Sequence, residues 1–165
     1  MKGGEKLKMT KKKDSIKVKG MFRLQITDDG KVVGDSGWKH NLVTNLGFNQ
    51  YLVSALGSIA GSKYVSHLAI GTGGAPAAGD TTLAGEQSVR TTVTAATSSG
   101  SKTVRFTGTF SSADSFVTAS KNISNIGLFN TSTAAGGTLF AGNTYTSSAC
   151  ATNQNVNVTY DIIFA

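Results

Sequence analysis

The chain has 165 residues, a formal net charge of +7 and one cysteine, and no apolar run in it approaches the ~20 residues that cross a bilayer. A sole Cys150 excludes an intrachain disulfide framework and a cysteine-based metal cluster. The length suits one domain that buries ~70% of the surface of its unfolded chain, so its core needs no staple.

The charge is concentrated at one end. Residues 1 to 20 hold Lys2, Lys6, Lys8, Lys11, Lys12, Lys13, Lys17 and Lys19 against Glu5 and Asp14, a local balance of +6. Residues 21 to 165 are almost neutral, so a single domain over 21–165 wears a basic arm over 1–20. The lysines do not lead into the apolar stretch that a secretory signal needs. An arm of this kind is a solvated tail, or docks on an acidic neighbouring subunit, or meets the phosphates of a nucleic acid, where binding is salt-dependent and blind to sequence. Lysine in place of arginine argues against bidentate base reading, and the absence of any aromatic before Phe22 argues against stacking on single strands. A neighbouring subunit is the preferred partner for the eight lysines, with nucleic acid as the alternative.

Along the body, Phe22, Leu24 and Ile26 alternate with polar residues as a half-buried strand does, and Asp28-Asp29-Gly30 predicts a tight hairpin turn into Lys31-Val32-Val33. Between 44 and 57 the period lengthens. Phe48, Leu52 and Leu56 recur every four residues, widened by Tyr51 and Ala55, which predicts one helix near 45–56. Thr44 or Asn45 suits its N-cap, and Gly57 suits a left-handed residue after its end.

Alternation then returns. His67 to Gly71 predicts a short strand entering a Gly/Ala loop with Pro76. Val89, Thr91, Val93 and Ala95 share one predicted face, and Val104, Phe106, Gly108 and Phe110 another, joined by a turn at 98–101. Ile126 to Phe129 is apolar on both sides, as in a strand covered on both faces. Gly136-Gly137 turns the chain into Thr138 to Tyr145, and Val156, Val158, Tyr160, Ile162 and Phe164 alternate to the last residue. Strands every 10 to 20 residues with one helix predict a mainly β domain, an antiparallel β-sandwich of jelly-roll or immunoglobulin-like type.

Motifs that could carry chemistry fare poorly. Gly34-Asp35-Ser36-Gly37 matches the surroundings of a trypsin-like nucleophile, yet no histidine precedes Ser36, and a polar turn before Trp38 explains it. His40 and His67 have no carboxylate within four residues. Gly71-Thr72-Gly73-Gly74 has Pro76 where a dinucleotide loop needs its third glycine. With only Glu5 and Glu86 beside scattered aspartates, no catalytic pair stands out, and nothing supports calcium at Asp28 or Asp80. The expectation is a non-enzyme with no catalytic residues, no metal, no cofactor and no membrane partner.

The order of features resembles small virion proteins of tailed bacteriophages, of the tail-fibre, baseplate and head-decoration kind. The resemblance rests on Asn41-Leu42-Val43-Thr44-Asn45-Leu46-Gly47 opening the helix, then Ile70 to Gly73, Pro76, Asp80 to Leu83 and Glu86, then Gly127 to Asn130 and Gly136 to Ala141. It covers about three quarters of the chain, leaving the arm outside. Two departures stand out: Asn125 and Ile126 where relatives often place an acid, and Gly142 where they often place an arginine. The resemblance implies a structural subunit that self-assembles or decorates a phage particle, located in the virion after assembly in the host cytoplasm, with copies of itself and other virion proteins as partners. The alternatives are a capsid coat protein whose arm contacts packaged nucleic acid, and a host-surface or glycan-binding tail module using Trp38, Tyr64 or Tyr145.

Overall fold

The structure, a computed structural model, describes residues 16–98 and 100–165. Ten strands form among the described residues: β1 Val18–Asp28, β2 Lys31–Asp35, β3 Lys39–Val43, β4 His67–Gly71, β5 Thr91–Thr92, β6 Thr94–Ala96, β7 Thr103–Phe110, β8 Lys121–Phe129, β9 Leu139–Cys150 and β10 Asn155–Phe164. All pair antiparallel, in the order β5-β4-β8-β9-β3-β1-β10-β7-β6, with β2 on β1. The two end strands are pieces of one stretch, 91–96, which bonds β4 through Thr91 and Thr92 and β7 through Thr94 to Ala96. The sheet therefore curls until it is nearly closed into a barrel. The mainly β, antiparallel expectation holds, but the two layers of a sandwich are continuous here, since β3 also bonds both β1 and β9.

Alternation in the sequence becomes inside and outside of this barrel. Phe22, Leu24 and Ile26 of β1 face inward beside Val156, Val158, Tyr160 and Ile162 of β10, with Phe22 paired to Tyr160 across the ladder and their rings stacked at 5.7 Å. Each such side chain contributes ~1.5–3 kcal/mol by leaving water. The predicted hairpin forms with a two-residue turn in which Asp29 (φ 45°) and Gly30 (φ 76°) both take positive φ, the requirement of a type I′ connection.

Strand β8 is buried on both faces, as expected. Ile126 and Leu128 join the barrel core, whereas Phe129 lies on the other side with Ala69, Leu83 and Leu139. Leu83 comes from the loop after β4, so that loop is a cover laid over the outside of the sheet. The predicted continuous strand at 89–95 is instead interrupted at Val93, whose N–H turns to the Ser66 carbonyl (3.0 Å) where the chain passes from β4 to β7.

The predicted helix, α1, is a wide-turned stretch Gly47–Val53 continuing into one α turn, Ser54–Leu56, and a short 3-10 turn also forms at Ser112–Asp114. Its amide bonds reach five residues back, as Ser54 N–H to Asn49 O shows. Thr44 caps it as expected, its Oγ1 accepting from Gly47 N–H at 2.9 Å and donating to the Leu139 carbonyl at 2.6 Å. The expectation for Gly57 is corrected: it sits at φ −88°, and the left-handed residue is Ser58 at φ 47°. The wide turn also rotates the helix. Gly47 and Tyr51 are its buried residues, while Phe48 and Leu56 of the predicted core stripe are exposed. Gly47 is required at that contact, because a Cβ there would lie 2.2 Å from the Phe140 carbonyl oxygen.

Candidate interaction surface

The outward stripe of α1 does not stand alone. Strand β3 delivers the helix to the end of the barrel where β1 begins and β10 finishes, since Gly20 pairs with Asn41 and Val18 with Phe164. Phe48, Leu52, Val53 and Leu56 therefore line one wall of an open groove of about 500 Å³ whose other wall is Ile16, Val18 and Phe164. Its apolar groups are unusually wet: Leu56 is 91% exposed and Ile16 82%. Leu52 and Phe164 also border a smaller cavity of about 170 Å³ between the helix and the barrel. Contiguous exposed apolar surface of this kind makes the groove a candidate for contact with another molecule.

The arm leaves from the rim of this groove. Lys17 is fixed by paired backbone bonds to the last residue, N–H to Ala165 O at 2.7 Å and Ala165 N–H to Lys17 O at 2.8 Å. Lys19 lies within β1 and Lys102 beside Phe164, whose N–H donates to the Lys102 carbonyl. Lys63 borders the smaller cavity and its Nζ donates to Thr138 Oγ1. Lys2, Lys6, Lys8, Lys11, Lys12 and Lys13 lie outside the described residues.

No described acid lines the groove. Asp35 is bound by Arg23, whose guanidinium donates to it and holds its carboxyl well below the usual carboxylate range; Gly37 N–H and Gln25 add to the effect. Asp161 accepts a two-pronged bond from Arg105 at 2.8 Å. Glu86 is buried with Arg90 (2.5 Å), whose guanidinium also donates to the Thr131 and Gly136 carbonyls and lies 3.6 Å from the centre of the Phe129 ring. Asp80 accepts from Ala77 N–H in the cover loop. Asp28 and Asp29 sit at the hairpin turn, the opposite end of β1.

The other residues singled out in the sequence are not gathered into a site. Ser36 Oγ accepts from Leu24 N–H (2.9 Å) and donates to Gly37 O (2.7 Å), so its hydroxyl holds the turn. His40 is on β3 and His67 on β4, where His67 Nδ1 meets Ser66 Oγ at 2.8 Å and burial, helped by Arg90, lowers its pKa. In the Gly71–Gly74 loop, Thr72 and Gly73 N–H donate to Gly85 O and Ala84 O, leaving neither to cradle a phosphate. Tyr145 is corrected from a surface aromatic to a core one, edge-on to Phe22 at 6.1 Å, which separates it from the exposed Tyr64 and Trp38. No group of three His, Cys, Asp or Glu suited to a metal occurs among the described residues, and none of their helices is long and apolar enough to cross a membrane.

Both departures from the virion-protein pattern have structural reasons. Asn125 is fully buried, and its Nδ2 donates to Gly74 O (3.1 Å) and Ala84 O (2.8 Å), tying the cover loop to β8; a carboxylate has no hydrogen to give those carbonyls. At Gly142 a Cβ would stand 2.7 Å from Ile126 O and 3.1 Å from Pro76, so no side chain fits. The groove-lining role of Ile16, Val18 and Phe164 had no signal in the sequence. The four-residue stripe was visible, but its direction was not. Comparison with protein-family models, curated proteins and solved structures finds no match for this chain.

Proposed function

We propose that this protein is a non-enzymatic structural subunit of a phage-type particle, working by self-association through the apolar groove at the root of its basic arm. The observation that carries this reading is the coincidence, at one end of the barrel, of exposed Ile16, Phe48, Val53 and Leu56 with the exit of the lysine arm. An apolar surface covered by a neighbouring subunit, with an arm reaching onto that subunit, accounts for both. The motif order quoted above supports a virion setting.

Deletion of residues 1 to 15 tests the part played by the arm. The cut stops before Lys17, because Lys17 to Gly20 belong to the sheet. Sedimentation equilibrium of the intact chain is expected to show association that weakens on deletion, whereas two monomers at high concentration would end the proposal. The second reading, a coat protein contacting packaged nucleic acid, is favoured by Lys17, Lys19 and Lys102 extending the basic surface onto the barrel. It predicts DNA or RNA binding that falls steeply with salt, and no binding at low salt would remove it.

A further inference from the structure

The groove needs an occupant, and the far end of the same molecule presents one. Among the described residues strand β2 pairs with β1 alone, so it is an edge of the sheet, and Val32 and Val33 on it are both more than half exposed. The turn beside them carries Asp28 and Asp29 against Lys31, and among the described residues Asp28 is met by the amides of Asn153 and Gln154 and by no cation. Asp114 lies at this end too, since Ser112 N–H donates to Asn155 Oδ1 and Asn155 pairs with Thr27. Lys121, paired with Cys150 just before the 151–154 turn, is a second cation at this end, its Nζ donating to Gln87, so Asp28, Asp29 and Asp114 against Lys31 and Lys121 leave an apolar projection with a net acidic excess.

The groove end is its counterpart in shape and charge. It is concave and apolar, it has room for both valine side chains, and Lys17, Lys19 and Lys102 flank it without a described acid in its lining. The two surfaces sit at opposite ends of the eleven-residue β1, ~33 Å apart at ~3.3 Å per residue. One copy cannot dock its own hairpin at that separation.

The geometry points to a head-to-tail contact between copies of this chain, in which the β1–β2 hairpin of one copy seats Val32 and Val33 in the groove between α1, Ile16 and Phe164 of the next. A contact between two different patches is heterologous, so it propagates into a ring or a filament and does not stop at a dimer. Opposite charge at the two ends sets the polarity and discourages like ends from meeting. The inference rests on the self-association proposed above and names its two surfaces.

Two substitutions and their mixture test it. Leu56→Asp places a charge in the groove and Val33→Asp places one on the hairpin; both sites are exposed, so the fold is retained, with Val53→Asp and Val32→Asp as replacements if either variant fails to fold. Each variant alone is expected to lose roughly tenfold or more in association constant. Mixed in equal amounts they are expected to form a one-to-one dimer and nothing larger, because one good groove and one good hairpin remain. If Val33→Asp assembles like the unaltered chain, the hairpin is not the occupant. If Leu56→Asp does so, the groove is not used, and hairpin edges pairing with each other would be the contact. Either result overturns the inference while leaving self-association standing. An unaltered chain that stays monomeric removes both.

Discussion

Arg90 carries more of the fold than its place in the sequence suggests. Its side chain is wholly buried, and it neutralises Glu86, satisfies two carbonyls of the 131–136 turn and covers Phe129. Removing one partner of such a pair leaves a buried charge without compensation. Arg90→Ala is expected to cost about 3–5 kcal/mol in urea unfolding, and Glu86→Ala added to it is expected to cost little more, a non-additivity that a double-mutant cycle measures. In the sequence Glu86 is only part of a motif order and one of two glutamates, and Arg90 does not stand out. They stand four residues apart in a stretch without helical period, so nothing in the sequence pairs them, and only the cover loop folding over β8 makes them interior.

The buried phenols give a second test at this scale. Burial pushes Tyr51, Tyr145 and Tyr160 well above the ordinary phenol value, with Arg90 pulling Tyr51 slightly back and Asn41 doing the same for Tyr160. Each holds its proton more firmly folded than unfolded. Their contribution to stability is therefore complete below about pH 10 and is lost as pH rises beyond it. Unfolding free energies measured across that range are expected to fall, with phenolate absorbance of these three appearing only as the chain unfolds. Full titration of every tyrosine in the folded state would contradict the burial.

At the level of elements, the helix shows what periodicity can and cannot convey. The four-residue spacing of Phe48, Leu52 and Leu56 located it, and Thr44 marked its start. What periodicity could not convey was that the turn is wide enough to carry the stripe off the core and bring Tyr51 onto it. Thr44→Ala is expected to cost about 1–2 kcal/mol, since it strands the Gly47 N–H in a buried place. Leu56→Asp, ruinous if the stripe faced the core, is expected to change the unfolding free energy by no more than about 0.5 kcal/mol.

The strands divide in the same way. β1, β7 and β10 were legible because one face is apolar and the other polar along most of their length. β3 was not, because Lys39, His40 and Leu42 are exposed and only Val43 is buried. The extension of β9 to Cys150 was hidden by Thr146, Ser147 and Ala149, small or polar residues that a strand accepts but does not announce.

For the whole molecule, closure and polarity are the properties that matter. The stretch 91–96 joins the two ends of the sheet and protects edges that would otherwise recruit other strands, which leaves β2, among the described residues, as the edge nearest the acidic turn. Neither closure nor polarity was readable from sequence, because both depend on which distant strands meet. The basic arm was readable, being a local excess of lysine, but the place of Ile16 and Val18 in the lining of an apolar groove was not.

The most direct test of the account is the mass of the chain in solution as concentration rises, measured for the intact protein and for Leu56→Asp by sedimentation equilibrium. The intact chain is expected to climb well above its 17.0 kDa monomer mass while the variant, equally well folded, stays at it. An intact chain that remains at 17.0 kDa, or a variant that climbs with it, would contradict the claim that this groove joins one subunit to the next.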